Sequence, residues 1–185
     1  MLLVACSSPP AAPAQSANPA ETWSMYRGDL ARDGHPPTAT LSEQSAARLA
    51  IAWRADLIGA VDGTPAVAGG MVIAGSASGT TWGSASPPTG MFALGPSDGA
   101  VTWRRESDQP VYSAPAVGNG VVVFGSGAVF GDLHSGSILA LSTADGHALW
   151  SYDTHSAVRS GPALAGDLVV AGDHAGELIA FRPAG

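Results

Sequence analysis

The sequence predicts an all-β chain of four-stranded antiparallel units in tandem, and three observations predict it. One segment recurs: Thr64-Pro65-Ala66-Val67 returns as Ala114-Pro115-Ala116-Val117 and as Gly161-Pro162-Ala163-Leu164. Pro65 to Pro115 is 50 positions and Pro115 to Pro162 is 47. A short apolar run follows each time, as Met71-Val72-Ile73-Ala74-Gly75-Ser76, Val121-Val122-Val123-Phe124-Gly125-Ser126 and Leu168-Val169-Val170-Ala171-Gly172-Asp173. Unbroken apolar runs of this length suit strands covered on both faces. Tight-turn pairs separate the runs: Gly69-Gly70, Asn119-Gly120 and Gly166-Asp167, then Asp98-Gly99 and Asp145-Gly146. A period of roughly 45–50 residues with several short strands per unit belongs to the blades of a propeller.

Taken in order, residues 1–22 come first. Leu3-Val4-Ala5-Cys6 resembles a bacterial lipobox, whose cysteine becomes an acylated N-terminus, and Cys6 is the single cysteine. A secretory leader needs a charged stretch and a longer apolar stretch. Only five residues precede Cys6, so either the natural start lies upstream or the match is chance. The Ser-, Pro- and Ala-rich residues up to 22 cannot bury a core and read as a flexible tether. Residues 23–48 form an N-terminal arm. Within it, Thr40-Leu41-Ser42-Glu43 predicts a capping box opening one short helix through about Arg48.

Residues 49–185 hold the three repeats. In each, strand A follows the proline, where no ladder donor is lost. Strand B is the apolar run, and glycine supplies the positive φ of the A–B and C–D hairpins. Strand C is Met91-Phe92-Ala93-Leu94, Ile138-Leu139-Ala140-Leu141 and Leu178-Ile179-Ala180-Phe181, and strand D ends on Trp103 or Trp150. The third unit has A (160–164), B (167–173) and C (177–181) without a D strand, whereas residues 49–54 are D-like, with Trp53, and precede the first unit. Pairing 49–54 beside 177–181, of the same or a sister molecule, makes three whole blades. Three blades are few for a ring of roughly 4–8. The expectation is a dimer of three-blade chains sharing six blades; an open arc, a three-blade ring and a remnant of a longer propeller are the rivals.

Composition bounds the function. The chain carries no lysine; its eight cations are arginines, against 15 acidic residues and a net charge of −7. An acidic chain without a basic stripe makes a poor nucleic-acid binder. No run approaches the roughly 18 apolar residues of a membrane-spanning helix, so a membrane is reached only through a lipid anchor. One cysteine excludes an internal disulfide and a cysteine-based zinc cluster.

The pattern Pro-Ala-Val, Val-x-x-Gly-Ser, Ala-Leu, Asp-Gly-x-x-x-Trp resembles the repeat of the pyrroloquinoline-quinone (PQQ) enzymes, over residues 49–181. Trp23-Ser24-Met25-Tyr26-Arg27-Gly28-Asp29 and Leu49-Ala50-Ile51-Ala52-Trp53 look closest to the polyvinyl-alcohol dehydrogenase branch. The resemblance implies that Trp53, Trp103 and Trp150 dock between adjacent blades. For an enzyme of this family it also implies PQQ on a tryptophan floor, Ca²⁺ held by Glu and Asn, and an Asp base. The only asparagines are Asn18 and Asn119, in the tether and in a hairpin turn. The scaffold is therefore supported and the catalytic apparatus is not.

The B–C and D–A connections emerge on one face of such a blade, and loops carry function more often than strands. The B–C loops 77–90 and 127–136 are enlarged. The candidate binding face comprises Trp82, Arg104, Arg105, Phe130, Asp132, His134, Asp153 and His155. Asp132-x-His134 and Asp153-Thr154-His155 read either as metal or acid–base pairs or as loop tips whose Asp closes a turn. Arg104-Arg105 reads as an anion clamp or as a surface pair beside Glu106 and Asp108. Trp82 and Phe130 either anchor a ligand or cover the rim, and His147 and His174 read as solvated turn residues. No metal-ligand spacing is visible and no cofactor is expected.

Two functions follow. One is a non-catalytic binding or scaffold lipoprotein of the bacterial cell envelope, extracytoplasmic and membrane-anchored, with an envelope protein or a second copy as partner. The propeller lipoprotein of the outer-membrane barrel-assembly machinery is its precedent. The other is a quinoprotein alcohol dehydrogenase of the polyvinyl-alcohol type, or a shortened relative, using PQQ with Ca²⁺.

Overall fold

The computed structural model describes residues 24, 26, 41–77, 89–128 and 134–184. Cys6, Trp82, Phe130 and Asp132 lie outside the described residues. Three antiparallel sheets carry the chain. The first runs β1 (Ala66–Ala68), β2 (Met71–Ser76), β3 (Gly90–Leu94), β4 (Val101–Glu106) in spatial order. The second repeats it as β5 (Ala116–Gly118), β6 (Val121–Gly127), β7 (Gly136–Ser142) and β8 (Ala148–Asp153). The third is β9 (Ala163–Ala165), β10 (Leu168–Gly172) and β11 (Leu178–Phe181). The innermost strands touch in series, β1 with β5 and β5 with β9. These are the predicted propeller blades.

The local causes are those the sequence announces. Asn119 and Gly120 sit at φ 50° and 79°, the pair of positive angles a type I′ hairpin requires. β6 is buried along nearly its whole length, because both of its faces meet neighbours. Between the first two blades, Ile73, Met91 and Ala93 pack with Val117, Val122, Phe124 and Leu141. Between the second and third, Val123, Ile138, Val158 and Ala171 pack with Leu164, Val169 and Phe181. On the other face of the first blade Leu57 meets Val72, Ala74, Phe92 and Leu94.

Each strand D hands an indole to the next blade. Trp103, 8% exposed, donates from Nε1 to Thr143 O at 2.7 Å, and its ring fills the space a Cβ on Gly146 would need. Trp53 repeats the arrangement one blade earlier: Nε1 donates to Pro96 O at 2.9 Å and its ring covers Gly99. Both glycines have φ near 70°, so the turn and the docking make the same demand. A bulge aims the ring. Ala93 pairs with Trp103 but Leu94 with Val101, and Ala140 pairs with Trp150 but Leu141 with Ala148. One extra residue therefore precedes each of these tryptophans, which bends the strand locally.

The structure differs from expectation in three places. The helix is shorter, α1 (Glu43–Ala46), with Ser42 as N-cap and Ser45 completing the capping box. Residues 49–54 form no strand and do not pair with β11 of the same chain. The third sheet has three strands among the described residues, while Trp53 docks on the first blade. Trp150 has no following turn to dock on among the described residues. It is 39% exposed and rests edge-on against Phe181, with ring centroids 4.8 Å apart.

Burying one indole contributes up to about 5 kcal/mol on area arithmetic. Trp103→Ala is expected to lower unfolding stability by about 3–5 kcal/mol in urea titration, and Trp150→Ala by clearly less. Equal losses would contradict the docking role.

Candidate axial binding site

The residues three places before each blade proline are equivalent: Asp62 before Pro65, Tyr112 before Pro115 and Arg159 before Pro162. They lie in the connections that enter the innermost strands. They converge on one cavity of about 350 Å³, whose lining also includes Tyr26, Thr64 and Pro162. One carboxylate, one phenol and one guanidinium thus face a shared space, each from a different blade.

Small residues let the blades close around this cavity. A Cβ on Gly63 would stand 2.7 Å from Ser113 O, and one on Gly161 would stand 3.0 Å from Ala114 O. Buried Ser113 accepts from Gly125 N at 3.0 Å and donates to Ser160 O at 3.1 Å, tying the second blade to the third. Ser160 Oγ in turn donates to Gly172 O at 3.2 Å. Ser24 reaches the inner edge of the second blade, where its carbonyl accepts from Val117 N at 2.6 Å.

The electrostatics are graded. Burial raises the Tyr112 phenol above its ordinary value, and the nearby negative Asp62 adds to the rise, so Tyr112 is a neutral hydrogen-bonding group at neutral pH. Arg159 hydrogen-bonds the ring of His174. A guanidinium only donates, so Nδ1 is the acceptor. His174, in the exposed turn after β10, is therefore a partner of Arg159. The site can hold a ligand that offers an acceptor or anion to Arg159 and a donor to Asp62. Calcium needs roughly six to eight oxygen ligands, and the cavity lining supplies one carboxylate. No group of three or more His, Cys, Asp or Glu able to hold a metal occurs among the described residues. The lining of this cavity therefore does not fit calcium.

The face named from the sequence divides. Arg104 and Arg105 belong to strand β4 itself, the outermost of its blade, and Arg104 pairs with Glu106 at 2.9 Å with both side chains exposed. Asp153 ends β8 and accepts from His155 N at 2.8 Å, with the His155 ring 3.3 Å from the same carboxylate. His155 has φ 51°, so this pair closes a turn. His147 does likewise, 2.6 Å from Asp145, and this hydrogen bond is the main cause of the lowered Asp145 pKa. His134 stands in an exposed turn before β7. None of these residues lines the axial cavity. Arg159 lies in a D–A connection, on the face that the sequence reading favours, whereas Asp62 and Tyr112 escaped that reading, although counting back from each proline aligns all three.

A phenol of raised pKa stabilises the fold below its unfolded value and loses that contribution as pH rises through the folded value. Ultraviolet titration, with Tyr112→Phe assigning the signal, is expected to show this phenol ionising later than a free tyrosine. Asp62→Asn is expected to shift it part of the way back, burial being the larger cause. No shift in that variant would separate Asp62 from the site.

Comparisons agree with the fold. The family described as outer membrane protein assembly factor BamB matches residues 76–185. No curated protein matches the chain in sequence. Among solved structures, a europium-containing methanol dehydrogenase is similar with TM-score 0.69 and 20% identity, over 89% of this chain and 30% of that one. The quinohemoprotein alcohol dehydrogenase ADHIIG from Pseudomonas putida HK5 is similar with TM-score 0.69 and 21% identity, over 89% and 25%. BamB from Moraxella catarrhalis is similar with TM-score 0.55 and 19% identity, over 72% and 40%. The chain thus spans less than half of each of these proteins. At such identities these likenesses speak for the fold, whereas the family match covers more than half of the chain. The chain belongs to the PQQ-repeat propeller family described as outer membrane protein assembly factor BamB.

Proposed function

We propose that this chain is a non-catalytic binding and scaffold propeller of the bacterial cell envelope, held to a membrane by lipid on Cys6. Its axial cavity grips a polar segment of a partner protein. One observation carries this reading: Asp62, Tyr112 and Arg159 reach the same cavity from three blades. Opposite charges on either side of a neutral phenol suit directional recognition of a peptide segment, with an acidic group toward Arg159 and a donor toward Asp62. The family's description as an assembly factor supports a role by binding. Among the described residues no helix is long and apolar enough to cross a membrane, and acylation of Cys6 supplies the attachment in this reading.

The test uses the protein expressed from its own gene. A photo-crosslinking residue at Thr64 is expected to trap an envelope protein, and Arg159→Ala to weaken that adduct at least about tenfold. Palmitate labelling is expected to disappear in Cys6→Ala. In vitro, PQQ with calcium is expected to leave the absorbance spectrum unchanged and to confer no dye-linked alcohol oxidation. A quinone spectral shift with turnover would replace the scaffold reading by the dehydrogenase one.

A further inference from the structure

The innermost strand of the second blade carries a backbone contact from outside its sheet. In β5, Val117 stands opposite Val122 of β6, between Ala116 and Gly118. Its N–H leaves that ladder and donates to Ser24 O at 2.6 Å. The N–H and C=O of one strand residue face one edge, and those of the next residue face the other. Val117 therefore turns its backbone groups to the inner edge, toward the axis. Val67 in β1 and Leu164 in β9 stand in the same register, opposite Val72 and Val169. The repeat thus turns one such residue per blade toward the axis, and in the second blade the N-terminal arm meets it.

Two residues after Ser24, Tyr26 lines the axial cavity with Asp62, Tyr112 and Arg159. One short stretch thus bonds the edge of β5 and walls the cavity beside it. The two sides of this contact are not built equally firmly. Val117 is 7% exposed and belongs to the core between the first two blades. Ser24 is half-buried, and Tyr26 is 51% exposed. The edge is fixed by packing, whereas the residues lying on it are partly in solvent. Segments with few buried contacts open at low free energy. A preorganised edge loses little freedom when another backbone takes their place. The cavity of about 350 Å³ is near the lower end of ligand pockets, roughly 300–1,000 Å³. It has room for a short stretch of extended chain and not for a folded domain.

We infer that the inner edge of β5 at Val117 is a strand-docking edge, and that Ser24 and Tyr26 hold it in competition with an extended segment entering the cavity. Strand addition takes its affinity from main-chain hydrogen bonds and its selectivity from side chains nearby. Here the main-chain donor is Val117 N–H, and the nearby groups are Asp62, Tyr112 and Arg159. The backbone contact tolerates varied sequences, and the opposite charges of Asp62 and Arg159 set the direction of the incoming chain. Occupancy by the arm lowers the apparent affinity for that chain by the fraction of molecules whose edge is open. The edge and its competitor stand on the Ser24 hydrogen bond and the cavity lining; only the incoming segment's origin in a partner protein rests on the function proposed above.

Ser24→Gly with Tyr26→Gly removes the ring and loosens the backbone of the arm, at residues outside the three sheets. In the full chain this pair is expected to speed amide hydrogen exchange at Val117 at least about tenfold. Val158, whose N–H donates to Ser126 O at 3.1 Å, is expected to exchange as before. A synthetic peptide of residues 22–28 of this sequence is expected to bind the variant at least about tenfold more tightly than the native chain and to restore protection at Val117. Unchanged exchange at Val117 would overturn the inference, and so would bound peptide that leaves Val117 unprotected. Equal peptide affinity for the two chains would overturn it too, because the arm would then not compete. With the photo-crosslinking residue at Thr64, the envelope-protein adduct is expected to rise at least about threefold in the variant. A smaller adduct would make Tyr26 a recognition residue instead of a competitor and overturn the inference. No adduct with either chain, while the peptide still protects Val117, would sink the partner-protein reading and leave the docking edge supported.

Discussion

The architecture depends on an indole lying on a glycine turn. Trp103 occupies the space above Gly146, and Trp53 the space above Gly99, each fixed by one hydrogen bond from the ring nitrogen to a carbonyl of the receiving turn. A side chain on either glycine would evict the ring, and positive φ already disfavours one. Turn geometry and inter-blade packing are therefore one constraint. The bulge before Trp103 and Trp150 belongs to it as well, since it sets the direction in which the ring leaves the strand. A blade of this kind is stable through its neighbour more than through itself.

Most of the fold was legible because its causes are local. Proline at the strand entrances, glycine pairs at the hairpins and apolar runs for strand B each carry a period or a backbone preference that sequence displays. Strand D was harder. In β4 every residue but Trp103 is exposed, so apolar alternation is missing, and Arg104 and Arg105 read as loop. Residues 49–54 carried the signature of a D strand, but signature is not partnership, and they form no strand. The helix starts at Glu43 because Ser42 supplies the cap oxygen.

The candidate site was less legible for a different reason. Asp62, Tyr112 and Arg159 share no chemistry, so a search for similar residues at similar spacing passes over them. What they share is a place relative to Pro65, Pro115 and Pro162. Asp153 and His155, by contrast, resembled a reactive pair in sequence. In space the carboxylate caps the His155 backbone N–H, a turn device that Asp56 repeats with Ile58 N at 2.9 Å. Proximity along the chain favoured the turn, and position around the axis made the cavity.

The place three residues before each proline separates tolerance from constraint. The neighbouring Gly63 stands where a Cβ would meet the Ser113 carbonyl, and Ser113 is buried, so their size is dictated. One step earlier the side chains line the cavity, with Arg159 bonded to His174 and Asp62 acting on the Tyr112 phenol. A lineage could therefore rewrite this trio of letters, acid for base or ring for amide, and change its molecular vocabulary while the spelling of the blades stays the same.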